Sequence, residues 1–142
     1  MSFEPGTELG PYIIQTFIDA GGMGEVYSAF DPRLERQVAI KVLPASLAEQ
    51  PEFRRRFKTE TQAISRLNHK NICTIFDTGT YHGRPYIVME LMDGETLESL
   101  RKGRPMDVER LLHIGIQAAN ALDAAHREGI VHRDIKLSLI HI

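Results

Sequence analysis

The sequence predicts an α+β fold: a five-stranded antiparallel sheet with one long helix, followed by further helices. Three observations carry this. Runs rich in β-branched and aromatic residues follow one another at short turns up to Leu91, and one stretch among them repeats its apolar residues at helical spacing. After Asp93-Gly94 no strand signal returns until Ile130. Sheet first and helices after describe two lobes joined by one crossing near Asp93.

Taken in order, residues 1–11 are a Gly- and Pro-containing lead-in, and 12–19 are a β-branched and aromatic run broken at Ala20, Gly21 and Gly22. Residues 25–31 and 37–43 are the second and third strands, with Asp31-Pro32 in the turn between them and Pro44 as the stop. Short turns make this an antiparallel meander. Ser46 and Glu49 form a capping-box pattern, and Pro51-Glu52 is the first turn of a longer helix to about Leu67. In that helix Phe53, Phe57, Ile64 and Leu67 make one apolar stripe to lie against the sheet. Asn68 ends it. Residues 72–81 and 85–91 are the fourth and fifth strands, a hairpin closed by His82, Gly83 and Arg84. A short helix over 96–102 stops at Gly103, and Asp107 caps a long one to Glu128. Its apolar face is Val108, Leu111, Leu112, Gly115, Ala118, Ala119, Leu122 and Ala125, and Gly129 closes it ahead of the short strand Ile130-Val131.

Composition excludes several function classes. The 142 residues are 42% hydrophobic and 25% charged with a net charge of −2, which gives no electrostatic footprint for nucleic acid or an anionic membrane. Arg54, Arg55 and Arg56 lie on a predicted helix and are read as a solvated face. A single cysteine, Cys73, forms no internal disulfide, consistent with a reducing cytoplasm. The start has no basic region followed by an apolar one, and no apolar run approaches the roughly 18 residues that span a bilayer. The expected location is cytoplasmic.

Three stretches carry chemistry. In residues 130–136, IVHRDIK, a strand runs into a loop that presents Asp134 beside Lys136. A carboxylate there can accept a proton from an attacking hydroxyl, and a cation two residues on can offset charge on a phosphoryl group. Residues 20–27, AGGMGEVY, are a glycine-rich turn between strands, where amides can approach anionic oxygens with no Cβ in the way. In VAIK, 38–41, Lys41 alternates with core residues, and its ammonium needs a partner or water.

Together, in this order, these stretches resemble the protein kinase catalytic domain, in the form common among bacterial serine/threonine kinases of eukaryotic type. The resemblance implies phosphoryl transfer from ATP, with Mg2+, to serine and threonine hydroxyls of protein substrates. It assigns Asp134 as the residue that takes the hydroxyl proton and Lys136 as the serine/threonine version of its companion. Lys41 would meet the nucleotide's phosphates and pair with a helix glutamate. Glu60 fits, because Glu60, Ile64, Leu67 and His69 match the family pattern there, and it borders the apolar stripe. Ile18, Gly21, Gly22, Gly24, Val26 and Ala39 would surround the nucleotide with Lys41. Met89 resembles the gatekeeper, and the backbone of Glu90 and Met92 the hinge that meets adenine. His132 is assigned packing, and Arg133 pairing with a phosphorylated activation segment.

The resemblance is close from Tyr12 to Lys136 and departs in three ways. Asp19 stands where the first loop glycine belongs; both repulsion of phosphate and toleration remain open, with toleration preferred. Leu139 stands where the second metal-binding Asn belongs, and no DFG follows, so no residue of this chain is assigned as a metal ligand. The expected division is 1–11 lead-in, 12–92 N-lobe and hinge, 93–136 start of the C-lobe, and 137–142 a non-native tail. That tail, LSLIHI, is what CTGTCTCTTATACACATC encodes in frame, a string that resembles the transposon-end adapter of DNA sequencing libraries. The chain is accordingly read as part of a serine/threonine kinase cut within its catalytic loop, inactive by itself, whose full-length parent is in many relatives membrane-anchored. The alternative is a nucleotide-binding pseudokinase or scaffold module.

Overall fold

The computed structural model describes residues 3–21, 24–101 and 103–130. Among them the chain forms two compact units, one from the residues up to Ser65 with Thr74–Leu91, the other from Arg66–Cys73 with the residues from Met92 on.

The first unit is a sheet in the order β1-β2-β3-β4-β6-β5, antiparallel throughout. Its strands are β1 (Glu8–Leu9), β2 (Tyr12–Gly21), β3 (Gly24–Asp31), β4 (Arg36–Val42), β5 (Ile75–Tyr81) and β6 (Arg84–Glu90). Five of them are the expected ones. The sixth, β1, is two residues long and turns back through Gly10 at φ 56, too short to leave an alternating pattern. Strand β5 starts three residues later than expected, because the Ile72 amide is spent on the His69 carbonyl at 3.1 Å in a turn. The β5–β6 hairpin turns on His82 and Gly83, both at positive φ (47 and 79), the primed geometry that matches strand twist.

One face of the sheet is the core. Leu9, Tyr12, Ile14, Tyr27, Ala29, Val38, Ile40, Val42, Tyr86 and Val88 are all within 5% of full burial. Each large apolar side chain there contributes roughly 1.5–3 kcal/mol relative to exposure. Helix α1 (Ala45–Ala48) follows β4, and helix α2 (Pro51–Ser65) follows α1. The expected capping box is absent: Pro44 is the N-cap, Ser46 lies inside the first turn, and no side chain caps the helix. Pro44, with its φ fixed near the helical value, starts the helix ahead of Ser46. On α2, Phe53 and Phe57 stack with centroids 6.4 Å apart and are half-buried, as the stripe requires.

In the second unit α3 (Leu97–Arg101) is capped by the Thr96 hydroxyl, which accepts the Ser99 amide at 3.1 Å. Helix α4 (Val108–Arg127) ends as Gly129 predicts. Ile130 N–H reaches Ala125 C=O (3.0 Å) and Gly129 N–H reaches His126 C=O (2.9 Å), with Gly129 at φ 78. Its expected apolar face is open to solvent. Val108, Leu111 and Leu112 are 67%, 51% and 60% exposed, and the buried residue is Ile114, off the expected stripe. The helix carries apolar residues on two sides, and periodicity selected the outer one. Among the described residues no helix is long and apolar enough to cross a membrane.

Candidate functional site

Strand alternation separates two kinds of residue in β4. Val38, Ile40 and Val42 point into the core, while Ala39 and Lys41 lie on the opposite face. Directly opposed residues in an antiparallel pair share a face, so the register builds that surface. Val26, Lys41 and Ile87 form one row, and Ser28, Ala39 and Met89 the next. A half-buried lysine between two aliphatic residues, beside an alanine, makes a cationic spot on an otherwise apolar shelf. Such a surface suits a flat apolar group with an anion at one end.

The glycine turn stands at the end of this shelf. Gly21 and Gly24 are the last pair of β2 and β3; Gly22, expected here, lies outside the described residues. Gly24 has φ 120, and a Cβ there would sit 2.0 Å from the Val42 carbonyl oxygen. No other residue fits. Ile18 is the extra residue of a bulge between Phe17 and Asp19 and is 48% exposed. Asp19, at the missing glycine position, opposes Val26, and its carboxylate accepts the Ala20 amide at 2.8 Å. That bond engages the carboxylate locally.

The helix partner is elsewhere. Glu60 is exposed on α2, in a shallow groove with Glu52, Arg55, Arg56 and Thr59, and among the described residues it makes no ion pair with Lys41 or any other group. At the end of β6, Met89 is half-buried and the Glu90 amide donates to the Thr74 carbonyl at 2.9 Å. Met92, 37% exposed, opens the second unit. Asp134, Lys136, His132 and Arg133 lie outside the described residues.

Sequence reasoning missed two polar arrangements. At the other end of the sheet Asp31, 1% exposed, binds Arg33 (3.2 Å), Arg33 donates to the Tyr12 hydroxyl (3.1 Å), and that hydroxyl donates to Asp77 (2.7 Å). Burial, then the bond to Asp77, pushes the Tyr12 hydroxyl up to about 12. Burial would raise Asp31, but the bonds and charge of Arg33 outweigh it and hold the carboxyl below its ordinary value. The second arrangement joins Tyr27 to Glu25 beside the glycine turn; burial, then the bond to Glu25, raises the Tyr27 hydroxyl. The first leaves no mark in local sequence, since Tyr12 and Asp77 are 65 residues apart.

The family described as protein kinase domain matches residues 12–141. A probable serine/threonine-protein kinase of Streptomyces coelicolor is 48% identical over 138 residues, which cover 94% of this chain and 20% of that protein. The serine/threonine-protein kinase PknB of Mycobacterium leprae is 43% identical over 136 residues, 92% of this chain and 22% of the relative. Among solved structures, the PknI kinase domain of Mycobacterium tuberculosis (C20A mutant) superposes with a TM-score of 0.89 at 34% identity, over 97% of this chain and 57% of that one. The chain therefore spans about a fifth of the length of these curated relatives.

Proposed function

The chain belongs to the protein kinase domain family, and from that premise we propose that the protein it forms part of transfers the γ-phosphoryl group of ATP to serine and threonine hydroxyls of protein substrates. One observation carries the reading: the sheet face that holds Lys41 between Val26 and Ile87, next to Ala39 and Met89, ends at a glycine pair that tolerates no side chain at Gly24. A small alanine, a cation and a strand pair that ends in two glycines fit a purine nucleotide and its phosphates.

On this reading Ile18, Val26, Ala39 and Met89 hold the base, with the backbone of Glu90 and Met92 beside it. Gly21, Gly22 and Gly24 bring amides to the phosphates, and Lys41 neutralises part of their charge. Glu60 would orient Lys41 once α2 moves inward, a movement consistent with its present exposed position. Asp134 accepts the proton of the attacking hydroxyl, and Lys136 offsets charge on the transferred group. Magnesium would shield the phosphates, and in this chain Leu139 stands where its expected Asn ligand belongs. The 142-residue chain by itself is accordingly read as inactive.

The test uses the full-length protein with ATP labelled in its γ-phosphate and a generic protein substrate. Label should appear on serine and threonine and vanish in Asp134→Asn, while nucleotide still binds. Binding without transfer in the unmutated protein favours the second reading, a pseudokinase or scaffold module, to which the exposed Glu60 points. Neither binding nor transfer sinks both.

A further inference from the structure

Strand β2 departs from regular pairing twice, once around Ile18 and once between Ile14 and Thr16. Ile14, opposite Ala29, points into the core, and in an unbroken strand Thr16 would follow it there. The extra residue, Gln15, turns Thr16 over. It stands opposite Ser28, in the row that continues through Ala39 to Met89. The bulge therefore puts a hydroxyl at the β2 end of an otherwise largely apolar row, on the face that carries Lys41.

Ser28 and Thr16 form a bonded pair. Ser28 Oγ accepts the Thr16 amide at 3.2 Å and lies 2.6 Å from Thr16 Oγ1. Ser28 is only 9% exposed, so its own proton has to be used inside the protein, and Thr16 Oγ1 is the acceptor within reach. Thr16 is exposed and keeps its proton, which among the described residues meets no acceptor. We propose that Thr16 binds the purine base and that Ser28 positions it: the Thr16 hydroxyl, held on the Lys41 face by the bulge and oriented by Ser28, donates one hydrogen bond to an acceptor nitrogen on the edge of the base. The place along the sheet selects the base rather than the phosphates. The row of Asp19, Val26 and Lys41 lies toward the glycine pair, and the row of Thr16, Ser28 and Ala39 lies on the side away from it. This role deepens the nucleotide reading above and rests on it.

The full-length protein tests it by equilibrium binding of labelled ATP and by competition with adenine, adenosine and inorganic tripolyphosphate. Thr16→Val keeps the branched shape and removes the hydroxyl. It should weaken ATP and adenine about fivefold, the scale of one neutral hydrogen bond, and leave tripolyphosphate within about twofold. Thr16→Ser keeps a hydroxyl and should bind ATP and adenine within about twofold of the unmutated protein, a rescue that packing by the threonine methyl does not predict. Unchanged ATP and adenine binding in Thr16→Val overturns the proposal. So does an equal loss for adenine and tripolyphosphate, which is what a distorted sheet would give. A loss seen with adenosine but not with adenine puts the bond on the sugar and overturns it as well. Should Thr16→Val fail to fold, Thr16→Ala set against Thr16→Ser makes the same comparison. If the unmutated protein binds no ATP, the nucleotide reading itself has failed, an outcome distinct from ATP binding that is indifferent to Thr16.

Discussion

Replacing Gly24 by alanine should be far more damaging than replacing Gly21, three residues away on the paired strand of the same hairpin. At Gly24 an added Cβ lands 2.0 Å from the Val42 carbonyl oxygen, 3.0 Å from its carbon and 3.2 Å from the Leu43 Cα, with φ at 120. Ordinary contact between such atoms is above about 3 Å, so β3 and β4 must separate by roughly 1 Å at this end. The backbone conformation alone costs about 1–3 kcal/mol for a residue with a Cβ, and losing one ladder hydrogen bond at the Glu25–Val42 pair adds about 1 kcal/mol. The sum, about 2–4 kcal/mol, is a large share of a typical stability of about 5–15 kcal/mol. At Gly21 nothing lies within 4 Å and φ is not in the left-handed range, so Gly21→Ala should change stability by less than about 1 kcal/mol. Urea unfolding of the full-length variants measures both. Equal effects of the two substitutions, or a Gly24→Ala protein of unmutated stability, would refute the reasoning from close approach.

Further outcomes follow from the same structure. Tyr12 keeps its proton to about pH 12 when folded, against an ordinary value of 10.0. The folded state therefore binds more protons between those values; stability is full below pH 10 and falls across the window by at most about 3 kcal/mol, and Tyr12→Phe should flatten that alkaline limb of the urea midpoint. Asp31 has the opposite sign: its lowered carboxyl stabilises above its ordinary value of 3.8 and the contribution is lost as pH falls below it, so Arg33→Ala should weaken the acid dependence of the same midpoint. The purified 142-residue chain should transfer no phosphate to a generic substrate; transfer that disappears in Asp134→Asn would contradict this. Resequencing the locus should replace the LSLIHI codons after Lys136 with Pro, a variable residue and Asn, and recovery of LSLIHI in independent adapter-trimmed reads would make the tail natural.

What could be read from the sequence was what short-range periodicity encodes. Strands β2 to β6 announced themselves through β-branched and aromatic runs, His82-Gly83 through turn chemistry, and Gly129 through its place after the last helical residue. Lys41 stood out because a cation alternating with Val38, Ile40 and Val42 has to face away from them. Strand β1 was invisible, since two residues hold no period. On α4 the apolar stripe of Val108, Leu111 and Leu112 was legible and is exposed, whereas the burial of Ile114, off that stripe, was not. The links from Arg33 to Tyr12, from Tyr12 to Asp77 and from Phe3 to Tyr27 join segments distant in sequence, which only the fold brings together. Glu60 marks a different limit: a family pattern can name the residue, but not the position its helix takes in one structure.

The central claim is that Lys41 on the shelf of Val26, Ala39, Ile87 and Met89 serves phosphoryl transfer. Its most direct measurement is the rate of labelled phosphate transfer from ATP to protein serine and threonine by the full-length protein and its Lys41→Met variant, alongside their unfolding curves. The account predicts that transfer is abolished while the unfolding midpoint is kept. A Lys41→Met protein that folds and still phosphorylates at the unmutated rate would contradict it.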